Sequence, residues 1–238
     1  MNRQIKWAGA ALVAGGLLMF TRMAPILVVL PDDMVFPPET TQEMVRLAGI
    51  AGSRWQLSHI MGLTAVLLFA VAYGWHVKVL MRLGWTRIGI SLAAMATMAF
   101  GLFGTALVID GFVVAATIDS HVLANGGQST TLAQVTESHQ LALRFFTPGI
   151  FLVFVSMGLL SVPMLHRVFH ARWLGLMGQI IGVIAVTAYL TGVTGPDWNV
   201  MQIAGTLMMA AFAWHLLVGS RALFVKSHAL LLQPDQTN

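Results

Sequence analysis

The chain has 238 residues, of which 57% are hydrophobic and only 9% charged, with a formal net charge of +4 and a mean hydropathy of +0.79. A soluble domain carries about 25% charged residues, so the composition excludes one and calls for a bilayer. There is no cysteine, which removes disulfides, cysteine–zinc sites, iron–sulfur clusters and thiol nucleophiles.

A helix crosses a bilayer with about 20 apolar residues. Six such runs stand in the sequence: Trp7–Leu30, Leu57–Val77, Ile88–Ala116, Leu141–Leu165, Trp173–Thr194 and Val200–Ser220. None alternates with period two, so they are read as helices and not as barrel strands. Only short segments lie between them. The expected architecture is all-α, a polytopic six-transmembrane-helix bundle, with residues 1–238 forming one membrane domain.

The first span follows basic residues and has the look of a leader. Its cleavage region, "FTRMAP", puts Arg22 or Pro25 where small residues are wanted, so it is read as an uncleaved anchor. In the next loop Pro37-Pro38 stiffens the chain. Thr40 and Glu43 then form a capping box for a short helix lying on the membrane, roughly Thr41 to Ala51. The third span carries Gly89, Ala93, Thr97, Gly101 and Thr105 at every fourth position. Such a stripe lets helix backbones approach closely, which predicts a central, packed third helix. The loop after it contains "NGGQST", a flexible turn. Thr131 and Gln134 make a second capping box, so the fourth helix is expected to begin outside the bilayer and to kink at Thr147-Pro148-Gly149. Gly178 and Gly182 form a GxxxG pair in the fifth span.

In this six-span arrangement Arg3, Lys6, Lys78, Arg82, Arg87, Arg167, Arg172, Arg221 and Lys226 fall on one side. Asp32, Asp33, Glu39, Glu43, Asp119, Glu137 and Asp197 fall on the other, with Arg46 and Arg54. Lys and Arg excess marks cytoplasmic loops, so both termini are expected inside, in the cytoplasmic (inner) membrane of a bacterium. The basic balance is then a topology signal and not a nucleic-acid footprint. Neither a P-loop nor a dinucleotide-binding glycine motif occurs.

Asp110 is the anomaly. It sits in "LVIDGFVVA", roughly 10 Å below the outer end of the third span, while Arg22 lies roughly 12 Å below the outer end of the first, at about 1.5 Å rise per residue. A charge at the bilayer centre costs about 2.5–3.5 kcal/mol or more, so such groups pair or face a cavity. Asp110 and Arg22 are expected to be partners. Gln56, Ser58 and His59 open the second span at a similar level, and His139 and Arg144 open the fourth. Asp119-Ser120-His121 and Glu137-Ser138-His139 offer metal-ligand chemistry in kind, but an i,i+2 pair points to different helix faces, and solvated loop residues are the ordinary explanation. No metal or other cofactor is expected.

His76, His166, His170 and His215 mark the opposite edge. His76 and His215 could hold a b-type haem axially between two spans. Both follow a tryptophan at an inner boundary, however, where amphipathic belt residues sit within reach of water. A His–Asp metallohydrolase is disfavoured because HRVFH lies opposite Asp110.

The motifs "RWQLSHIMGL" opening the second span, "LVIDGFVVA" ending the third and "ALRFFTPGIFLVF" in the fourth are together similar to a broad group of uncharacterised bacterial six-helix integral membrane proteins. The resemblance implies a six-helix protein of the cytoplasmic membrane and no established reaction. The sequence reading is therefore an outer-leaflet polar pocket built from Arg22, His59, Asp110 and Arg144. It would bind a small anionic or polar-headed amphiphile such as a lipid or quinone. A haem electron carrier and a structural subunit of a larger membrane complex or homo-oligomer are the alternatives. No catalytic residue is assigned from the sequence.

Overall fold

The structure is a computed structural model that describes residues 2–33, 41–118, 128–192 and 198–224. Among these the regular structure is helical and no strand occurs. In chain order the helices are α1 (Asn2–Thr21), α2 (Ala24–Leu27), α3 (Thr41–Ala51), α4 (Ser53–Arg82), α5 (Thr86–Val108), α6 (Gln128–Leu165), α7 (Arg172–Gly192) and α8 (Trp198–Phe224). Six stretches are long and apolar enough to span a membrane: Arg3–Leu27, Ser53–Arg82, Thr86–Ile118, Ala133–Leu165, Arg172–Thr191 and Thr206–Phe224. They coincide with the six expected runs. The ends differ by several residues: the second and fourth spans extend into polar flanks, to Ser53 and Arg82 and to Ala133, whereas the first stops at Leu27 and the sixth begins at Thr206.

Each spanning helix packs on the next one in the chain, and α8 packs back on α1. The result is a closed circuit of six helices in sequence order. Glycines make its tightest contacts. A Cβ at Gly219 would lie 2.7 Å from the Gly9 carbonyl oxygen, and one at Gly9 would lie 2.8 Å from that of Gly219. The first and last helices thus close the circuit backbone to backbone, as small residues permit in lipid. On α7, Gly175, Gly178 and Gly182 face α6: a Cβ at Gly178 would run into Ser161 Oγ, and one at Gly182 would lie 3.3 Å from the Phe154 carbonyl. The GxxxG pair is a packing face, as expected. At Gly149, beside Pro148, a Cβ would lie 2.8 Å from the Phe103 amide nitrogen, so α6 leans against the backbone of α5 there. The α6 helix runs on through both Pro148 and Pro163.

The stripe on the third span behaves otherwise. Gly89 is buried, but Thr97, Gly101 and Thr105 are exposed on α5, and nothing lies within 4 Å of a Cβ built on Gly101. The face that packs carries Leu92, Ala96, Ala99, Phe100 and Phe103 instead. Larger apolar side chains fill the centre of the circuit, and the small stripe turns outward. Thr105 and Thr97 do not strain this face, since a threonine hydroxyl can bond within its own helix; Thr105 Oγ1 donates to the Gly101 carbonyl at 2.9 Å.

The core is aromatic through its middle. Phe69 stacks with Phe100 and with Phe212 at centroid distances of 6.3 and 6.1 Å. A second apolar cluster caps one end, where Leu47, Ala48 and Ala51 of α3 pack with Ile26, Trp55, Val114, Ile118 and Val135. The amphipathic α3 forms over the expected residues. Gly52 joins α3 to α4 with φ +50°, and Gly84 turns the α4–α5 connection with φ +83°. Both backbone conformations are ones glycine adopts without a steric penalty. The capping residue Thr40, Pro37-Pro38, Asp119-Ser120-His121, Asp197 and Lys226 lie outside the described residues, as do the side chains around Thr131.

Charge is segregated by the fold. Arg82 donates to Gln4 Oε1 at 3.1 Å, Ile5, Val79 and Ala222 cluster together, and Arg167, Arg172 and Arg221 line one cleft. The start of α1 and the ends of α4 and α8 therefore meet at a single basic end. Asp110, Arg22 and the exposed Asp33–Arg46 ion pair, 2.9 Å long, belong to the other. The hydrogen bond from Arg46 holds the Asp33 carboxyl below its ordinary range.

Candidate functional site: a carboxylate between two histidines

The helix of α5 does not continue as α into the sequence around Asp110. Ile109–Val114 forms a π-helical turn, with helix resuming over residues 115–118. Widened turns of this kind recur at functional sites because they displace side chains and loosen the backbone ladder. Trp55 of α4 supports the turn: its indole Nε1 donates to the Asp110 carbonyl at 3.0 Å. Gly111 permits the approach, because a Cβ there would run into His59 Cβ.

The Asp110 carboxylate is held on both sides. Oδ2 lies 3.0 Å from His59 Nε2, and Oδ1 lies 2.9 Å from His139 Nδ1. The His59 side chain is 5% exposed, Asp110 19% and His139 22%, so the cluster is closed at its α4 side and open toward α6. The ring of His59 is pinned further, since Nδ1 lies 2.8 Å from the Trp55 carbonyl. Both His59 nitrogens thus face acceptors. Both contacts are hydrogen bonds at once only when the His59–Asp110 pair carries one proton beyond a neutral ring and an ionised carboxylate. The pair is then either imidazolium and carboxylate or imidazole and carboxylic acid, and its net charge is zero in each case. For His139, a neutral ring protonated on Nδ1 donates to Asp110 and leaves Nε2 uninvolved in that contact.

The four sequence-predicted residues fare differently. His59 and Asp110 are bonded to each other. Arg22 is half-buried and within electrostatic reach of Asp110, but the Asp110 ion pairs within 4.0 Å are those with His59 and His139. Its guanidinium lies over α4 one turn deeper, where a Cβ at Gly62 would be 3.0 Å from Arg22 Nη1. The expected direct Asp110–Arg22 pairing is therefore replaced by two histidines. Arg144 is exposed on α6; its position five residues on from His139 turns it to another face. His139, expected at the opening of the fourth span and read with Glu137 as metal-ligand chemistry, is the partner missing from those four: the helix that carries it begins at Gln128, three residues before the expected cap Thr131, and packs against α5.

The histidines expected at the inner edge are a second correction. Only His166 is exposed; His76, His170 and His215 are 1%, 0% and 1% exposed. They do not form a wet belt, because α4, α8 and the 166–171 loop fold them into the circuit. Nδ1 of His76 bonds the Ala72 carbonyl at 2.8 Å, and Nδ1 of His215 bonds that of Ala211 at 2.7 Å. Their other nitrogens are also engaged: His215 Nε2 with the Tyr73 hydroxyl at 3.0 Å, and His76 Nε2 with His170 Nε2 at 3.4 Å. His170 Nδ1 and Arg221 Nε are buried without a hydrogen-bond partner among the described residues. Burial, with His76 and Arg221 nearby, pushes His170 well below the ordinary imidazole range. Among the described residues no three His, Asp or Glu side chains converge as a metal-ligand set.

Comparison with known proteins adds no relative: no family model, curated protein or solved structure matches this chain.

Proposed function

We propose that the protein is a multi-pass protein of a bacterial cytoplasmic membrane whose outer-end cluster binds a small polar-headed amphiphile. The observation that supports this most is the Asp110 carboxylate held between His59 and His139 inside a π-turn, with Asp110 and His139 still about one-fifth exposed. A carboxylate needed only for packing would be closed over completely, and Leu or Ala would pack more cheaply. Here the fixed side, His59 and Trp55, orients the carboxylate. The open side offers His139 Nε2 to a hydroxyl or carbonyl head, and the nearby Arg22 guanidinium favours one that carries negative charge. The exposed apolar Phe112 and Val113 on the same turn, with Val108 just before it, suit the tail. A quinone or fatty-acid-like molecule meets these requirements. The nine-to-two distribution of loop Lys and Arg supports placing this end outside and both termini inside.

Trp55 gives the test its signal. Purified protein in detergent is titrated with decylubiquinone and, separately, with lauric acid, while tryptophan fluorescence is followed. Saturable quenching or enhancement is expected with at least one, weakened tenfold or more in Asp110→Asn and in His139→Gln and abolished as a signal in Trp55→Phe. Saturation by neither probe, or variants that bind as the parent does, would overturn the proposal.

A further inference from the structure

The basic end holds a cleft that the outer site does not explain. It has a volume of 570 Å³ and is lined by Arg167, Arg172, Arg221, Trp173, Leu176 and Leu165, among others. Three guanidinium groups from two helices and one loop therefore share one concavity without a carboxylate in its lining. Like charges brought together repel, and a chain with 9% charged residues has little reason to concentrate them unless an anion offsets them.

Two further features point to an occupant. Arg221 Nε is buried and has no hydrogen-bond partner among the described residues, and a buried donor of a charged group is costly to leave unsatisfied. Its missing partner is an acceptor. The loop that shapes the cleft is also strained: Arg167 and His170 have φ of +55° and +60°, a region that residues with a side chain enter at a cost and that clusters at ligand clamps. The strain sets Arg167 on the cleft, and the loop delivers the chain into the start of α7 at Arg172. The positive end of that helix dipole adds to the three arginines.

The walls decide what kind of anion. Trp173 and Leu176 are half exposed, at 50% and 54%, and continue into Ile180, Val183 and Ile184, all exposed on α7. Spacings of three and four residues place them along one helix face. A cationic cleft thus opens onto an apolar stripe that runs up the outside of a spanning helix, with a tryptophan at the junction, the level at which its amphipathic ring prefers to sit. That is the outline of a phospholipid: a phosphate in the cleft and an acyl chain along α7.

We infer that the Arg167–Arg172–Arg221 cleft is a binding site for the phosphate headgroup of an anionic membrane phospholipid. Arg221 supplies the buried contact, Arg167 and Arg172 close over the phosphate, and the acyl chain lies against Trp173, Leu176 and Ile180. The site is independent of the outer cluster and survives if that cluster binds nothing.

The test is thermal stability of the purified detergent-solubilised protein with added phosphatidylglycerol, phosphatidylcholine of the same chains, or inorganic phosphate. Phosphatidylglycerol is expected to raise the midpoint by several degrees over phosphatidylcholine. Arg167→Gln with Arg172→Gln, both at exposed positions and so tolerated by the fold, should remove most of that difference. Arg87→Gln, at an exposed position outside the cleft lining, should leave it intact. Equal stabilisation by phosphatidylcholine, an undiminished preference in the double variant, or an equal loss in Arg87→Gln would overturn the site. Stabilisation by inorganic phosphate as large as by the lipid would overturn the lipid assignment and leave a simple anion site.

Discussion

Replacing Asp110 by alanine removes two hydrogen bonds at once, to His59 and to His139. Charge-assisted hydrogen bonds contribute about 1.5–3 kcal/mol each. With 19% of the Asp110 side chain exposed, water competes for part of that, so the lower figure applies, for a total of about 3 kcal/mol. For a chain of this size 1 kcal/mol moves the thermal midpoint by about 2–4 °C, so the loss should read as about 6–12 °C. Asparagine should cost less. Its oxygen still accepts from His139 Nδ1, and its amide can donate to His59 Nε2 once that ring is neutral, replacing two charged bonds by two ordinary ones of about 1 kcal/mol each. The assay is fluorescence-detected gel filtration after heating, for Asp110→Ala, His139→Ala, Arg22→Gln and the two doubles that contain Asp110→Ala. Asp110 and His139 should couple by about 1.5 kcal/mol, whereas Asp110 and Arg22, which form no ion pair within 4.0 Å, should couple by less. Strict additivity for Asp110 with His139, or a larger coupling for Arg22, would refute the assignment of partners.

Three other outcomes follow from the fold. Gly178→Ala drives a methyl into Ser161 Oγ and to 2.9 Å from the Trp214 ring; it should cost about 1–3 kcal/mol as overpacking, with Ser161→Ala restoring part of the loss in the same melting assay. His170 is held neutral below its unfolded value of about 6.5; the unfolded chain binds a proton first as pH falls, so stability should drop as pH goes below about 6.5. His170→Asn, which tolerates the positive φ, should flatten that dependence between pH 7.5 and 5.5. A reporter fused after Asn238 should read as cytoplasmic, and an exported signal would reverse the topology.

The six spans were legible because lipid demands internally bonded backbone and long apolar runs, and both are written in composition alone. The α3 helix was legible from Thr41 to Ala51 because Thr40, Glu43 and the spacing of Leu47, Ala48 and Ala51 are local signals. Helix faces were harder. Thr97, Gly101 and Thr105 carry the same small-residue spacing as Gly178 and Gly182, yet one set faces out and the other in. The difference lies in what the neighbouring helix brings, here Phe69 and Phe154, and no spacing on α5 itself encodes it. Asp110 was recognised as costly and His59 as a neighbour. Its true partner His139 was hidden because helical rotation relative to α5 depends on a π-turn with no proline or other local marker beyond Gly111. The inner histidines were misjudged for a related reason: a tryptophan–histidine pair at a helix end reads the same whether the histidine points to the headgroups or to the circuit centre.

The two polar centres lie on opposite halves of the bundle, and what separates them bears on function. Along α4, from His59 to Tyr73 at about 1.5 Å per residue is roughly 21 Å. The buried residues between are Gly62, Ala65, Val66, Phe69 and Ala72, all apolar, and Phe69 is stacked between Phe100 and Phe212. Among the described α4 side chains no titratable group bridges that distance. A proton or ion passing between the centres would have to displace the aromatic stack, which the closed glycine contacts of α1 with α8 and α6 with α7 resist. Among the described residues the packing between the two ends leaves no polar path along α4, so the proposed outer cluster and the proposed arginine cleft are separate sites. It follows that substitutions at Asp110 and at the arginine cleft should be additive in stability, and a double variant of Asp110→Asn with Arg172→Gln that departs from additivity by more than about 0.5 kcal/mol would show that the two ends communicate after all.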